Sequence, residues 1–144
     1  MLRRSLLFLV ILGLLAGCQN YEKGLEQSVA RADETSAVAF LRAIALAERT
    51  YSLTNSGEYG TLKQLADGGF LDARYSGEKP LKDYVVTLVV TPKAPGTPEG
   101  SYVCNANPEK SGERVGRHFY VDSSSTYIHY NDTQSATASD KIVQ

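Results

Sequence analysis

The stretch TSAVAFLRAIALAERTY, residues 35 to 51, decides the fold. Its apolar residues recur three, four and seven positions apart, which is the spacing of one face of an α-helix. These positions are Ala37, Phe40, Leu41, Ile44, Ala47 and Tyr51. Asp33 or Thr35 is a candidate N-cap, and Asn55-Ser56-Gly57 is expected to end the helix. Because more than half of its surface is apolar, we expect the helix to lie in a groove or on a sheet.

The residues after this helix change from a helical to an alternating pattern. LKQLA, residues 62 to 66, is expected to form a short helix that begins at Thr61 and stops at Gly68-Gly69. Four strands rich in β-branched and aromatic residues follow. They are predicted at residues 83–91, 101–106, 117–121 and 126–130, with a polar loop at 107–116 and a four-residue loop at 122–125. A helix followed by an antiparallel meander predicts an α+β fold, with a long N-terminal helix packed on a small antiparallel β-sheet.

The N-terminus carries a different signal. Arg3 and Arg4 precede an apolar run from Ser5 to Leu15, which is too short for the ~20 residues of a membrane-spanning helix. A short basic segment, a short apolar run and small residues at its end are typical of an export signal. The exit reads Leu15-Ala16-Gly17-Cys18.

These four residues resemble the bacterial lipobox, with Leu15, Ala16 and Gly17 as the signal-peptidase recognition residues. The resemblance implies a lipoprotein signal peptide, cleavage before Cys18, diacylglycerol on its thiol and a palmitate-like N-acyl chain. The alternative is an ordinary cleaved signal in which Cys18 has no role. Two or more acyl chains hold a protein stably on a membrane. Gln19, which follows the cysteine, resembles the residue at that position in lipoproteins that are sorted to the outer membrane. We therefore expect an outer-membrane location facing the periplasm if the organism is Gram-negative.

The chain is accordingly divided into four parts. Residues 1–17 are the signal peptide, 18–34 the lipidated N-terminus and tether, 35–131 the α+β domain and 132–144 a disordered tail. Removal of the signal leaves 127 of the 144 residues, enough for one small domain. The mature chain carries 13 basic and 16 acidic residues, without a basic stripe. A nucleic-acid partner is therefore not expected.

Cysteine usage is simple. If Cys18 is lipidated, Cys104 is the only other cysteine and no internal disulfide forms. Its strand-like surroundings favour burial, and the alternative is a thiol open to intermolecular pairing.

The two histidines are the weak candidates for a metal site. If a four-residue loop closes the last hairpin, His118 and His129 are direct cross-strand partners, close enough for two imidazoles to share a metal. A third ligand is not apparent, and the alternative is a polar outer face of the hairpin.

Catalytic motifs are missing from the sequence: it has no nucleophile elbow, metalloprotease motif or phosphate-binding loop. Ser123 to Ser125 are interpreted as turn residues, and Glu48 as part of a solvated helix flank with Arg42 and Arg49. We therefore expect no enzyme and no cofactor beyond the lipid. Nine tyrosines, against four phenylalanines, favour either a contact surface or half-buried strand faces.

Residues 35 to 131 resemble the globular heads of type IV pilin-like proteins, especially the major pseudopilins of type II secretion. The motifs that carry the resemblance are, in order, AVAFLRAIALAERTYSLTNSGEYGTLKQL, GFLD, SYVCNANP and RHFYVDSSSTYIHY. The pilin processing site and its glutamate-containing apolar helix are missing, so filament assembly is not implied. The resemblance implies a membrane-anchored, non-enzymatic binding or structural component of the cell envelope, with a protein partner in a secretion or pilus system. The alternative is a small metal-binding or enzymatic lipoprotein that uses His118 and His129.

Overall fold

The computed structural model describes residues 2–109 and 116–144, without the side chains of residues 2–23 and of Glu26. The described residues form two helices, one short 3₁₀ turn and five strands. In chain order these are α1 (Leu2–Thr54), α2 (Leu62–Asp67), the 3₁₀ turn (Ala73–Tyr75), β1 (Tyr84–Thr91), β2 (Ser101–Pro108), β3 (His118–Asp122), β4 (Ser125–Asn131) and β5 (Lys141–Ile142). The α+β class is confirmed. The structure does not describe the side chains of the lipobox residues Leu15, Ala16, Gly17 and Cys18. Most of the loop expected at 107–116 also lies outside the described residues.

Helix α1 ends where the sequence predicts but does not begin there. Ser56 and Gly57 adopt positive φ angles of 57° and 86°, and the Gly57 N–H donates to the Ser52 carbonyl at 2.9 Å. This is the left-handed reversal that commonly ends helices. The predicted N-caps are wrong, because the Thr35 hydroxyl instead bonds the carbonyl of Arg31 one turn earlier, inside the helix. Among the residues whose side chains are described, no helix has an apolar window long enough to cross a membrane.

The five strands form one antiparallel sheet in the order β1-β2-β3-β4-β5. Side chains alternate across it. In β2, Tyr102, Cys104 and Ala106 are buried, and in β3, Phe119 and Val121 are buried. These side chains form the core with the fully buried helix residues Phe40, Leu41 and Ile44.

Helix α2 confirms the capping prediction. The Gln64 N–H donates to the Thr61 hydroxyl at 3.3 Å, and the Thr61 N–H donates to the Gln64 side chain at 2.9 Å. This reciprocal capping box fixes the first turn. Gly68 caps the other end, and Leu65 anchors the helix in the core.

The boundary expected between tether and head is displaced, because Glu34 belongs to the head. Its carboxylate accepts hydrogen bonds from the Arg117 backbone N–H at 3.1 Å and from the guanidinium Nε at 2.9 Å. The guanidinium also lies over the Tyr130 ring, 4.6 Å from its centroid. Helix α1 is thereby fastened to the start of β3.

The tail expected to be disordered, residues 132–144, is folded against the sheet. It crosses the outer face, where Asn105 donates to the Ala136 carbonyl at 3.0 Å and Ala136 is buried. It then returns as β5, which pairs with β4. Asn131 and Asp140 each accept backbone N–H groups of the intervening turns. Such local side-chain to backbone bonds can order a polar segment that has little apolar surface to bury.

Candidate functional site

A cleft of about 580 Å³ lies between the end of helix α1, the loop before β2 and the turn that joins β3 to β4. Its lining mixes aromatic, apolar and charged side chains. The main contributors are Arg49, Leu53, Tyr59, Glu99, Tyr102 and Tyr127. Clefts with a few polar groups among larger aromatic surfaces are the usual binding sites of proteins.

Two loops far apart in sequence meet at one wall of the cleft. The Gly100 N–H donates to the Gly57 carbonyl at 2.9 Å. A Cβ on Gly57 would lie 2.3 Å from the Pro98 carbonyl oxygen, so only glycine permits this approach. The contact brings Tyr59 beside Glu99, whose carboxylate accepts the tyrosine hydroxyl at 3.5 Å.

Tyrosines form the aromatic part of the cleft. The rings of Tyr59 and Tyr102 meet edge to face, with centroids 5.1 Å apart. Burial, and after it the negative charge of Glu99, raises the pKa of Tyr59. Burial, and after it the charge of Glu48, raises the pKa of Tyr102. Both phenols are therefore neutral at physiological pH. A third tyrosine, Tyr127, lies at the rim of the cleft and is 62% exposed.

Asp122 organises the turn that closes the other side of the cleft. Its Oδ1 accepts the backbone N–H groups of Ser124 at 2.9 Å and Ser125 at 3.2 Å, and its Oδ2 accepts the Tyr120 hydroxyl at 2.7 Å. Burial raises the pKa of Asp122, but these hydrogen bonds outweigh it, so the pKa lies below its ordinary value. Ser123 and Ser124 are turn residues, as predicted, whereas Ser125 is the first residue of β4.

Glu48 lies beneath the cleft and is fully buried, so the interpretation as a solvated flank is wrong. Its Oε2 accepts the Gly60 N–H at 2.8 Å, while its buried Oε1 has no hydrogen-bond partner among the described residues. Burial raises its pKa to about 7, against the lowering effect of the Gly60 bond. The sequence held a signal for this, because Glu48 follows Leu41 and Ile44 at helical spacing on the apolar face.

Cys104 lies in the same core, on the side of β2 that faces α1. The predicted burial is confirmed, since the side chain is fully covered and unpaired. Burial, and after it the charge of Glu48, raises the pKa of the thiol to about 12. A thiol held protonated in the core is a poor nucleophile.

The predicted direct pairing of His118 with His129 is wrong. The turn pair Asp122–Ser125 keeps the predicted register, but a register shift lies between Tyr120 and Asp122, where β4 has two more residues than β3. His118 therefore faces Asn131, and His129 faces Tyr120. Each imidazole Nδ1 has a structural partner, the Asn107 amide oxygen at 2.8 Å and the Asp140 carbonyl at 2.9 Å respectively.

The described residues contain no cluster of three or more His, Cys, Asp or Glu side chains placed to hold a metal ion. The chain matches no protein-family model, no curated protein and no solved structure.

Proposed function

We propose that the protein is a membrane-anchored lipoprotein with a pilin-like head that binds a protein partner in the cell envelope, as an accessory component of a type II secretion or type IV pilus system. The role is one of binding or structure, not catalysis. The observation that carries it is the cleft, which joins an exposed apolar rim to a wall of neutral tyrosines.

The rim of this cleft has the composition of a protein contact. Leu53 is 78% exposed and Tyr127 62% exposed, and both line the cleft. Leu46, two turns earlier on the same face of α1, is 68% exposed. Large exposed apolar residues grouped beside tyrosines are typical of binding surfaces. Glu99 and Arg49 at the cleft supply charges that orient a partner.

Anchoring is proposed from the sequence Leu15-Ala16-Gly17-Cys18 after a short apolar run. Lipid on Cys18 would hold the head at a membrane surface, where a partner of the same membrane is met at high effective concentration. The likeness to pilin heads is supported by the long helix that packs on an antiparallel sheet. Such likeness of architecture is an analogy for function.

The anchor is tested by metabolic labelling with a palmitate analogue and by fractionation of membranes. We expect the native chain to be labelled and membrane-bound, and Cys18→Ser to lose both properties. Cys104→Ala is the matched control, since it removes the other cysteine and should keep label and location. A Cys18→Ser chain that keeps its label would contradict the anchor.

The binding surface is tested separately, by a photo-cross-linking amino acid placed at Leu53 or Tyr127 of the full chain in native membranes. We expect one discrete adduct, identified by mass spectrometry as a secretion or pilus component. The control position is Glu78, an exposed loop residue outside the cleft. Equal or no cross-linking at the cleft and at Glu78 would exclude the cleft as the contact surface.

A further inference from the structure

Strand β1 forms one edge of the sheet, and the backbone groups on its open side have no hydrogen-bond partner among the described residues. It lies at the end of the strand order and pairs only with β2, in an unbroken register of eight residues from Tyr84 to Thr91. None of the other described helices or strands runs along it. The opposite edge, by contrast, is the two-residue strand β5.

The sequence of β1, YVVTLVVT, lacks every device that usually protects an edge strand. It contains no charge, proline or bulge, and it is rich in β-branched residues. Natural proteins blunt exposed edges with such devices because an open edge pairs with another strand. Val85 and Val89 on its outer face are 50% and 55% exposed. On the helix side, Val86, Leu88 and Val90 are only half-buried.

We propose that β1 pairs antiparallel with β1 of a second copy of this chain, with Leu88 on the two-fold axis. The dimer joins the five strands of each copy into one continuous sheet. An interface of this kind is isologous, since each copy offers the same edge.

The side-chain alternation restricts the register. Residues directly opposite in an antiparallel pair lie on the same face of the sheet. Tyr84, Val86, Leu88 and Val90 face the helix, and the odd-numbered residues face outward. An even-numbered residue must therefore face an even-numbered one, which excludes half of the registers.

Charge selects among the remaining registers. With Leu88 on the axis, Val86 faces Val90 of the second copy, and Asp83 reaches the level of Lys93 of the second copy, at both ends of the interface. With Thr87 on the axis, Asp83 faces Thr91, and no opposite charges meet. Within one copy the Lys82 ammonium lies 4.0 Å from the Asp83 carboxylate, and the Lys93 ammonium donates to the neutral Ser56 carbonyl at 2.7 Å.

The test uses Thr87 and Val89, which are exposed on the outer face and face each other across the proposed interface. Thr87→Lys with Val89→Lys places like charges directly opposite at two symmetry-related positions. Thr87→Lys with Val89→Glu places opposite charges there. Both pairs of substitutions lie at exposed positions, so circular dichroism should report the same folded head in each variant.

Mass is measured by light scattering on the full chain in mild detergent across a concentration series. We expect the native chain to dimerise, the double-lysine variant to weaken the dimer by about tenfold or more, and the lysine–glutamate variant to dimerise at least as well as the native chain. A monomeric native chain would overturn the proposal and leave the edge to a strand of another protein. A dimer that survives double lysine, or is lost in both variants, would overturn the interface or its register.

Discussion

The carboxylate of Glu48 and the backbone of Gly60 are joined by a 2.8 Å hydrogen bond inside the core. The bond fixes the loop that leads into α2 to the last two turns of α1, across twelve positions of sequence. It satisfies only one carboxyl oxygen, since Oε1 is buried and has no described partner. Burying an unpaired charge is costly, and protonation removes that cost. Glu48 therefore couples the folding of the cleft's base to pH.

The first prediction concerns this coupling. The carboxyl pKa rises from its ordinary value of 4.5 to about 7 on folding, because burial disfavours the charge. Between these values the folded protein holds a proton that the unfolded chain has released, so stability is full below about pH 4.5 and is lost as pH rises to about 7. Glu48→Gln should remove this loss, and its advantage over the native chain should grow to about 3 kcal/mol above pH 7.

Urea unfolding of the full chain in mild detergent, followed by circular dichroism from pH 4 to pH 8, measures the difference. Glu78→Gln is the control, because Glu78 lies exposed on a loop and its removal should leave the pH profile unchanged. A constant difference between Glu48→Gln and the native chain across this range would contradict the coupling.

The second prediction concerns the attachment of α1 to β3 through Arg117. The side chain makes a 2.8 Å ion pair with Glu34, whose side chain is only 14% exposed, and stacks on Tyr130. Arg117→Ala should lower the free energy of unfolding by about 2 kcal/mol, and Arg117→Lys should lower it less, since lysine keeps the charge but loses the planar fork. Lys63→Ala breaks the exposed pair with Asp67 and should cost less than about 0.5 kcal/mol. If Arg117→Ala and Lys63→Ala lowered the free energy of unfolding equally, the attachment of α1 to β3 would contribute no more than an exposed ion pair.

The third prediction concerns the turn between β3 and β4. Asp122→Ala leaves the Ser124 and Ser125 N–H groups and the Tyr120 hydroxyl without their acceptor, and should lower the free energy of unfolding by about 1–2 kcal/mol. Because hydrogen bonds hold the Asp122 pKa below its ordinary value, its contribution is present at neutral pH and is lost as pH falls through the acidic range. Ser123→Ala keeps the turn's backbone bond to Tyr102 and should have little effect. An alanine at 122 that costs no more than the alanine at 123 would argue against this role.

Local patterns predicted the elements well, because each was encoded by near neighbours. The helical spacing around Phe40 and Ile44, the Thr61 to Gln64 capping box and the alternation of β1 all depend on residues within a few positions. The pairing of His118 was not predicted, because it depends on an irregularity between Tyr120 and Asp122, where one residue of β3 lies opposite three residues of β4. The two extra residues of β4 at this point move the partners of Tyr120, Phe119 and His118 by two positions.

The candidate site was harder to predict for a related reason. In the cleft, a backbone hydrogen bond between Gly100 and Gly57 brings Tyr59 beside Glu99. These two residues are forty positions apart, and local sequence spacing does not predict contacts over such a distance. Glu48 was misassigned because its residue type favours water, although its position on the helix favours the core. The buried hydrogen bond to the Gly60 N–H holds the Glu48 side chain in the core, despite the preference of glutamate for water.

The last prediction concerns the C-terminal segment, whose composition indicates disorder and whose structure is ordered. A chain that stops after Asn131 lacks β5, the buried Ala136 side chain and the Asp140 carbonyl that is the hydrogen-bond partner of His129. Since several net hydrogen bonds of about 1 kcal/mol each are lost, the free energy of unfolding should fall by about 2 kcal/mol or more. Ser139→Ala, an exposed change in the same segment, should leave stability within about 0.5 kcal/mol. Hydrogen exchange should show the Val143 amide protected by its 2.8 Å bond to the Ile128 carbonyl. Immediate exchange at Val143, together with unchanged stability of the shortened chain, would mean that the segment does not hold the outer face of the sheet.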